Sequence, residues 1–275
     1  MESLLALSFN NLSSRDNTKI RKGLRQIEGL LAQICLSNAR LSPQKRSRSE
    51  CKQLRDLRKD AAFREFFRLQ EGFKWNVASR LVATIERLMG QSSTSATNTL
   101  LLSTLTSLHG LLLLHPPSRS IFNREDYMNL LLDLLDSSNP PNIQSQTLLV
   151  LVTALLGEPR NTRIFEAVDG LLTVTSLFKS RSTTQEVKMR TLEFLYFYLM
   201  PECAPHTSAS APSTTARPRS SSKLEIDGGG DENGDGTGAK TMEDKQKLLG
   251  KHLSNVAELV RDLRENAIFA GGAAS

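Results

Sequence analysis

The chain has 275 residues, 39% hydrophobic and 23% charged, with a formal charge of +6 at pH 7; this excludes a collagen, a disulfide-stapled miniprotein and a wholly disordered chain, and the length suits one large domain or two small ones. The charge has a location, because ten basic and four acidic residues fall between Arg40 and Arg68 and the rest of the chain is neutral. Cys35, Cys51 and Cys203 are odd in number and widely spaced, which fits reduced thiols rather than a disulfide framework or a C-x-x-C pair.

The first five residues, MESLL, lack the positive region and small-residue cleavage site of a signal peptide. From Asp16 onward the pattern is helical. Ile20, Leu24, Ile27, Leu31 and Ile34 alternate spacings of four and three, which puts them on one face of a first amphipathic helix. A polar basic insert at 37–49, with Pro43, follows. The spacing then predicts one helix through Leu54, Leu57 and Ala61 toward Phe66, and another through Val77, Leu81, Ile85 and Leu88. The leucine-dense stretch 100–114 is interrupted by Ser, Thr, His109 and Gly110 and falls short of the ~20 residues of a membrane span. Pro116-Pro117 ends it, since proline lacks an amide donor and turns the preceding residue away from helical angles. The expectation is a soluble intracellular protein.

An internal repeat is the informative feature. Leu113, Pro116, Ile121, Phe122 and Asp126 recur 43 positions later as Leu156, Pro159, Ile164, Phe165 and Asp169. Ile143, Thr147, Leu148, Leu151 and Leu155 recur at a separation of 44 as Val187, Thr191, Leu192, Leu195 and Leu199. A weaker copy sets 66–73 against 164–171. Helical repeats with a period of about 40–47 residues are the mark of armadillo and HEAT arrays, whose units bury their apolar faces by stacking. The expected fold is therefore all-α, an armadillo/HEAT-like solenoid over 1–202.

Beyond Glu202 the composition changes. Half of the 38 residues in 203–240 are Ser, Thr, Gly or Pro, which predicts a disordered linker. Within it Asp231-x-Asn233-x-Asp235-Gly236 matches only the first half of a calcium loop, since position twelve is Met242. The stretch 234–241 resembles a phosphate-binding loop with Ala239 in place of a required glycine and no strand before it. The four histidines show no metal-ligand spacing, and no nucleophile elbow or kinase motif occurs. No metal, cofactor or catalytic residue is expected. Leu249, Leu253, Val256, Val260, Leu263 and Ala267 then trace a C-terminal amphipathic helix over 241–270.

Two surfaces are candidates for partner binding. In 193–200 the run EFLYFYLM is apolar around almost the whole helical circumference, so Phe194, Tyr196, Phe197 and Tyr198 must be covered on several sides. Because this helix closes the last repeat, either the C-terminal helix folds back as a cap or another protein supplies one. The second surface is basic and includes Arg55, Arg58 and Arg64. A charge run of this kind is usually a solvated face; the alternatives are an acidic protein partner, or RNA or an anionic membrane bound with a steep salt dependence. With few interleaved aromatics and no zinc, RRM or KH signature, nucleic acid is the weaker of these.

The residues 159–166 (PRNTRIFE), 169–171 (DGL), 176–179 (SLFK), Val187-Lys188 and 192–202 (LEFLYFYLMPE) resemble the fungal cell division control protein 14 family of the septation initiation network. This is not the phosphatase of the same name, whose C-x-x-x-x-x-R loop is missing here. The resemblance covers roughly 16–202 and is dense from Pro159 to Glu202. It implies a non-catalytic scaffold that binds a germinal-centre-type protein kinase. It also implies recruitment from the cytoplasm to the spindle pole body, contact with other proteins there, and promotion of septum formation at cytokinesis. It brings no catalytic residues with it and does not say which surface meets the kinase.

Overall fold

The computed structural model describes residues 1–36, 52, 54–202 and 240–261, without the side chains of Leu54 and Arg55. The basic insert at 37–49, the linker but for Lys240, the calcium-like run, nearly all of the phosphate-loop-like run and the stripe positions Leu263 and Ala267 lie outside the described residues.

Every regular element described is helical. The first, α1 (Glu2–Leu12), precedes the region where the sequence pattern was expected to begin; it buries Leu5, Ser8, Phe9 and Leu12 against α2 (Asn17–Cys35). Gly23 permits that approach, since a Cβ there would sit 2.9 Å from the Ser8 carbonyl oxygen and 3.0 Å from the Leu12 nitrogen. Helix α2 is the expected first amphipathic helix, N-capped by the Asp16 carboxylate on the Thr18 amide at 2.8 Å. The single helix expected through 54–66 is two: α3 (Leu54–Leu57) stops before Asp60, whose side chain accepts from the amides of Ala62 and Phe63 and starts α4 (Ala61–Glu71). A residue that caps so well interrupts an apolar spacing that would otherwise run through it. Helix α5 (Val77–Met89) buries all four of its predicted core residues.

Helix α6 (Ser95–Leu114) starts earlier than the leucine run suggests, because Thr94 caps it. At 20 residues it is long and apolar enough to cross a membrane. Here it is the central helix, packed against α2, α5 and α8 (Pro141–Leu155). The two prolines open a 3-10 segment, Pro116–Asn123, followed by α7 (Glu125–Asp133), and beyond α8 come α9 (Pro159–Ala167), α10 (Gly170–Lys179) and α11 (Gln185–Leu199). The sequence correspondence at 43 residues sets Pro116–Asn123 against α9 and α7 against α10, and that at 44 sets α8 against α11. Helices α2, α6, α8 and α11 pack successively, α6 on α2, α8 on α6 and α11 on α8. Their apolar faces join one continuous core.

The C-terminal helix is broken. Helix α12 (Met242–Gly250), begun by a capping box between Thr241 and Asp244, gives way to turns at 251–255 before helix resumes at 256–261. Leu249, Leu253, Val256 and Val260 of the predicted stripe are all buried. The break lies where Lys179 Nζ donates to the His252 carbonyl oxygen at 2.5 Å, taking up one acceptor that the end of α12 leaves open.

Candidate partner-binding site

The aromatic end of α11 is an interior. Phe194 is fully buried and Tyr198 nearly so, with the Phe165 ring 5.5 Å from the first and 6.3 Å from the second. Neither presents a surface to a partner: Phe194 packs against the Phe165 ring of α9, and Lys245 of α12 lies over the Tyr198 ring. Tyr196 and Phe197 are half-buried at the edge of the same core. Of the two ways to cover this helix, the chain uses its own C-terminal segment.

Charge holds that cover down. The Glu166 carboxylate accepts from Tyr198 Oη at 2.8 Å and Lys240 Nζ at 2.6 Å, and lies 3.2 Å from Arg163 Nη1. Glu202 takes Arg163 Nη2 and the Lys240 amide, with Lys245 Nζ at 3.2 Å. Lys245, on α12, also donates to the Met200 carbonyl oxygen at 2.9 Å and lies over the Tyr198 ring. Burial pulls the Lys245 ammonium below its usual pKa, and the neighbouring carboxylates pull back. Burial and then Glu166 push the Tyr198 phenol far above its ordinary range, so it stays a donor. A cleft of about 250 Å³ lies at this junction, bordered by Leu156, Pro159, Phe197, Met200 and Lys245.

The open surface is elsewhere. Helix α4 and the end of α6 enclose a groove of about 470 Å³ whose floor is apolar and whose rim is basic. Phe63, Phe67, Leu113, Leu114 and the two prolines line it, with Arg58, Arg64, Arg68 and Glu71 around them. The floor is rigidly built: Phe67 packs 5.9 Å from the Phe63 ring and edge-on to His115 at 4.3 Å. His115 is buried and bonded through Nδ1 to Ser118 Oγ at 2.8 Å, and burial lowers its pKa to about 4. Leu113 is 44% exposed and joins Phe67 and the two prolines in one apolar patch. Arg58, Arg64 and Arg68 are exposed, and none pairs with a carboxylate among the described residues.

The groove unites two of the three predicted basic residues, Arg58 and Arg64; the Arg55 side chain lies outside the described residues. Sequence reasoning did not name Arg68, Phe67 or Leu113 as site residues. The signal was present in 63–68, FREFFR, where the pairs Phe63/Phe67 and Arg64/Arg68 each sit one helical turn apart and side by side. Among the described residues no three His, Cys, Asp or Glu side chains converge as metal ligands would.

The family described as cell division control protein 14, SIN component, matches residues 1–269, and so runs on through the linker and the C-terminal segment, well past the 16–202 of the first resemblance. The cell division control protein 14 of Schizosaccharomyces pombe is 26% identical over 272 residues, covering 96% of this chain and 94% of that protein. No solved structure matches the chain. The chain therefore belongs to the cell division control protein 14 family, a component of the septation initiation network.

Proposed function

We propose that this chain is a non-catalytic scaffold that binds a germinal-centre-type protein kinase in the septation initiation network and promotes septum formation. In this reading it is cytoplasmic and is recruited to the spindle pole body. The successive packing of α2, α6, α8 and α11, together with the sequence repeat at 43–44 residues between 113–155 and 156–199, supports an armadillo-like array, a fold that offers surfaces rather than enclosed pockets. The observation that carries the binding role is the groove at α4, an apolar floor beside arginines with no carboxylate partner among the described residues, while the end of α11 is covered by the chain itself. Such a scaffold raises kinase activity only by binding the active arrangement more tightly than the inactive one; equal affinity makes it a tether.

The test is purification of the tagged chain from dividing cells at physiological salt with nuclease present, followed by quantitative mass spectrometry. A near-stoichiometric germinal-centre-type kinase is expected. Recovery of the chain without a kinase, or with binding only at low salt, overturns the proposal.

A further inference from the structure

We infer that the groove between α4 and the end of α6 receives an acidic amphipathic helix from a partner protein, its apolar residues on the Phe63, Phe67 and Leu113 floor and its carboxylates on Arg58, Arg64 and Arg68. The inference rests on the scaffold reading in one respect, that the chain binds a protein; it does not depend on that protein being the kinase.

Charge complementarity selects this occupant. Three arginines and one glutamate rim the groove, and the arginines have no carboxylate among the described residues. A guanidinium matches a carboxylate bidentately and stays charged at every physiological pH. The floor selects a protein segment over a polyanion, since two phenylalanines, two leucines and two prolines offer nothing to a phosphate backbone but fit side chains at helical spacing. Arg64 and Arg68 are one turn apart on α4, so a helix lying alongside can meet both with acidic residues one turn apart. The chain contains a precedent: α12 is a short helix seated at the end of α11, with Leu249 buried and Lys245 inserted between Glu202 and the Met200 carbonyl. The groove at α4 has the opposite polarity, with cations on the body, so its helix carries the acids.

The experiment is fluorescence anisotropy with the purified full-length chain and a designed, labelled helix of about 16 residues, with leucines on one stripe and glutamates beside it. Controls are the same peptide with lysines for glutamates, the same with serines for leucines, polyuridylate, and vesicles containing phosphatidylserine. Saturable binding of the acidic peptide alone is expected. It should fall at least about tenfold in Arg64→Glu/Arg68→Glu and in Leu113→Asp, and the double charge reversal should now bind the lysine peptide. These positions are exposed, so the variants should keep the wild-type circular dichroism melt. No binding of the acidic peptide overturns the inference. So does tighter binding of polyuridylate or vesicles that is lost in the same variants, and so does peptide binding that emerges only when the acidic segment 223–235 is deleted, which would make that segment the occupant. A peptide that binds while no kinase copurifies leaves this inference standing and removes only the kinase.

Discussion

The Asn161 side-chain amide donates to the Arg119 backbone carbonyl at 2.9 Å across 42 residues of chain, and to the Ala154 carbonyl at 2.6 Å. Arg119 in turn donates to the carbonyls of Leu112 and Leu156, at 3.0 and 2.7 Å. The two side chains thus stitch together the segments that follow α6 and α8, and the carbonyls of Leu112, Ala154 and Leu156 that they meet lie where those helices end and leave acceptors open. Asn161→Ala removes two buried hydrogen bonds and should cost about 2–3 kcal/mol, read from urea unfolding. An unchanged midpoint would remove the stitch from the account.

Glu202 holds Arg163, Lys245 and the Lys240 amide at a buried site. Removing it leaves the buried Lys245 without a carboxylate and Arg163 with Glu166 alone, so Glu202→Ala should destabilise the chain by about 3 kcal/mol. It should also release the C-terminal segment, and limited proteolysis should then cut near α12 before the rest of the chain. Simultaneous cutting throughout would show that the segment is not a separate cover.

Asp169 adopts a left-handed conformation with φ of 59°, and Gly170 follows it into α10. A Cβ on Gly170 would lie 2.2 Å from the Phe165 ring and 2.5 Å from the Phe165 carbonyl oxygen. Backbone cannot move aside as a side-chain end can, so Gly170→Ala should cost about 1–3 kcal/mol despite alanine's better helix propensity. Thermal melting decides this: a raised Tm contradicts the packing.

His115 titrates near 4 when folded and near 6.5 when unfolded. The unfolded chain therefore takes up the proton first, so His115 costs nothing above pH 6.5 and its penalty grows as pH falls toward 4, reaching about 3 kcal/mol. Comparing wild type with His115→Gln isolates this from carboxylates such as Asp60, whose depressed pKa acts below pH 4. The wild type should lose more stability between pH 7 and 4; parallel curves contradict the burial of a neutral ring.

Most of the architecture was legible in the sequence. The four-three stripes of α2 and α5 correspond to buried faces, and Phe122 and Phe165, paired by the sequence repeat, are both fully buried. Helix α1 was overlooked although Leu5, Ser8, Phe9 and Leu12 keep helical spacing, because a serine occupies one of its core positions and bonds back to the Leu4 carbonyl. The break at Asp60 is written as a cap, and periodicity alone does not register caps. The aromatic run at 194–198 showed that something must cover it. It could not show what, because the cover comes from beyond the linker, as the bond between Lys245 and the Met200 carbonyl, 45 residues apart, shows. The groove was half legible: its arginines stood out as charge, whereas Leu113 and Pro117 join it only once α6 has brought them beside α4.

The proposed scaffold role requires that this chain bind a kinase through its own surface. Purified chain and purified germinal-centre-type kinase, mixed at physiological salt and passed over a size-exclusion column with light scattering, should elute as one complex of defined stoichiometry. Reversing Arg64 and Arg68 to glutamate should dissolve it. Independent elution of the two wild-type proteins would contradict the account.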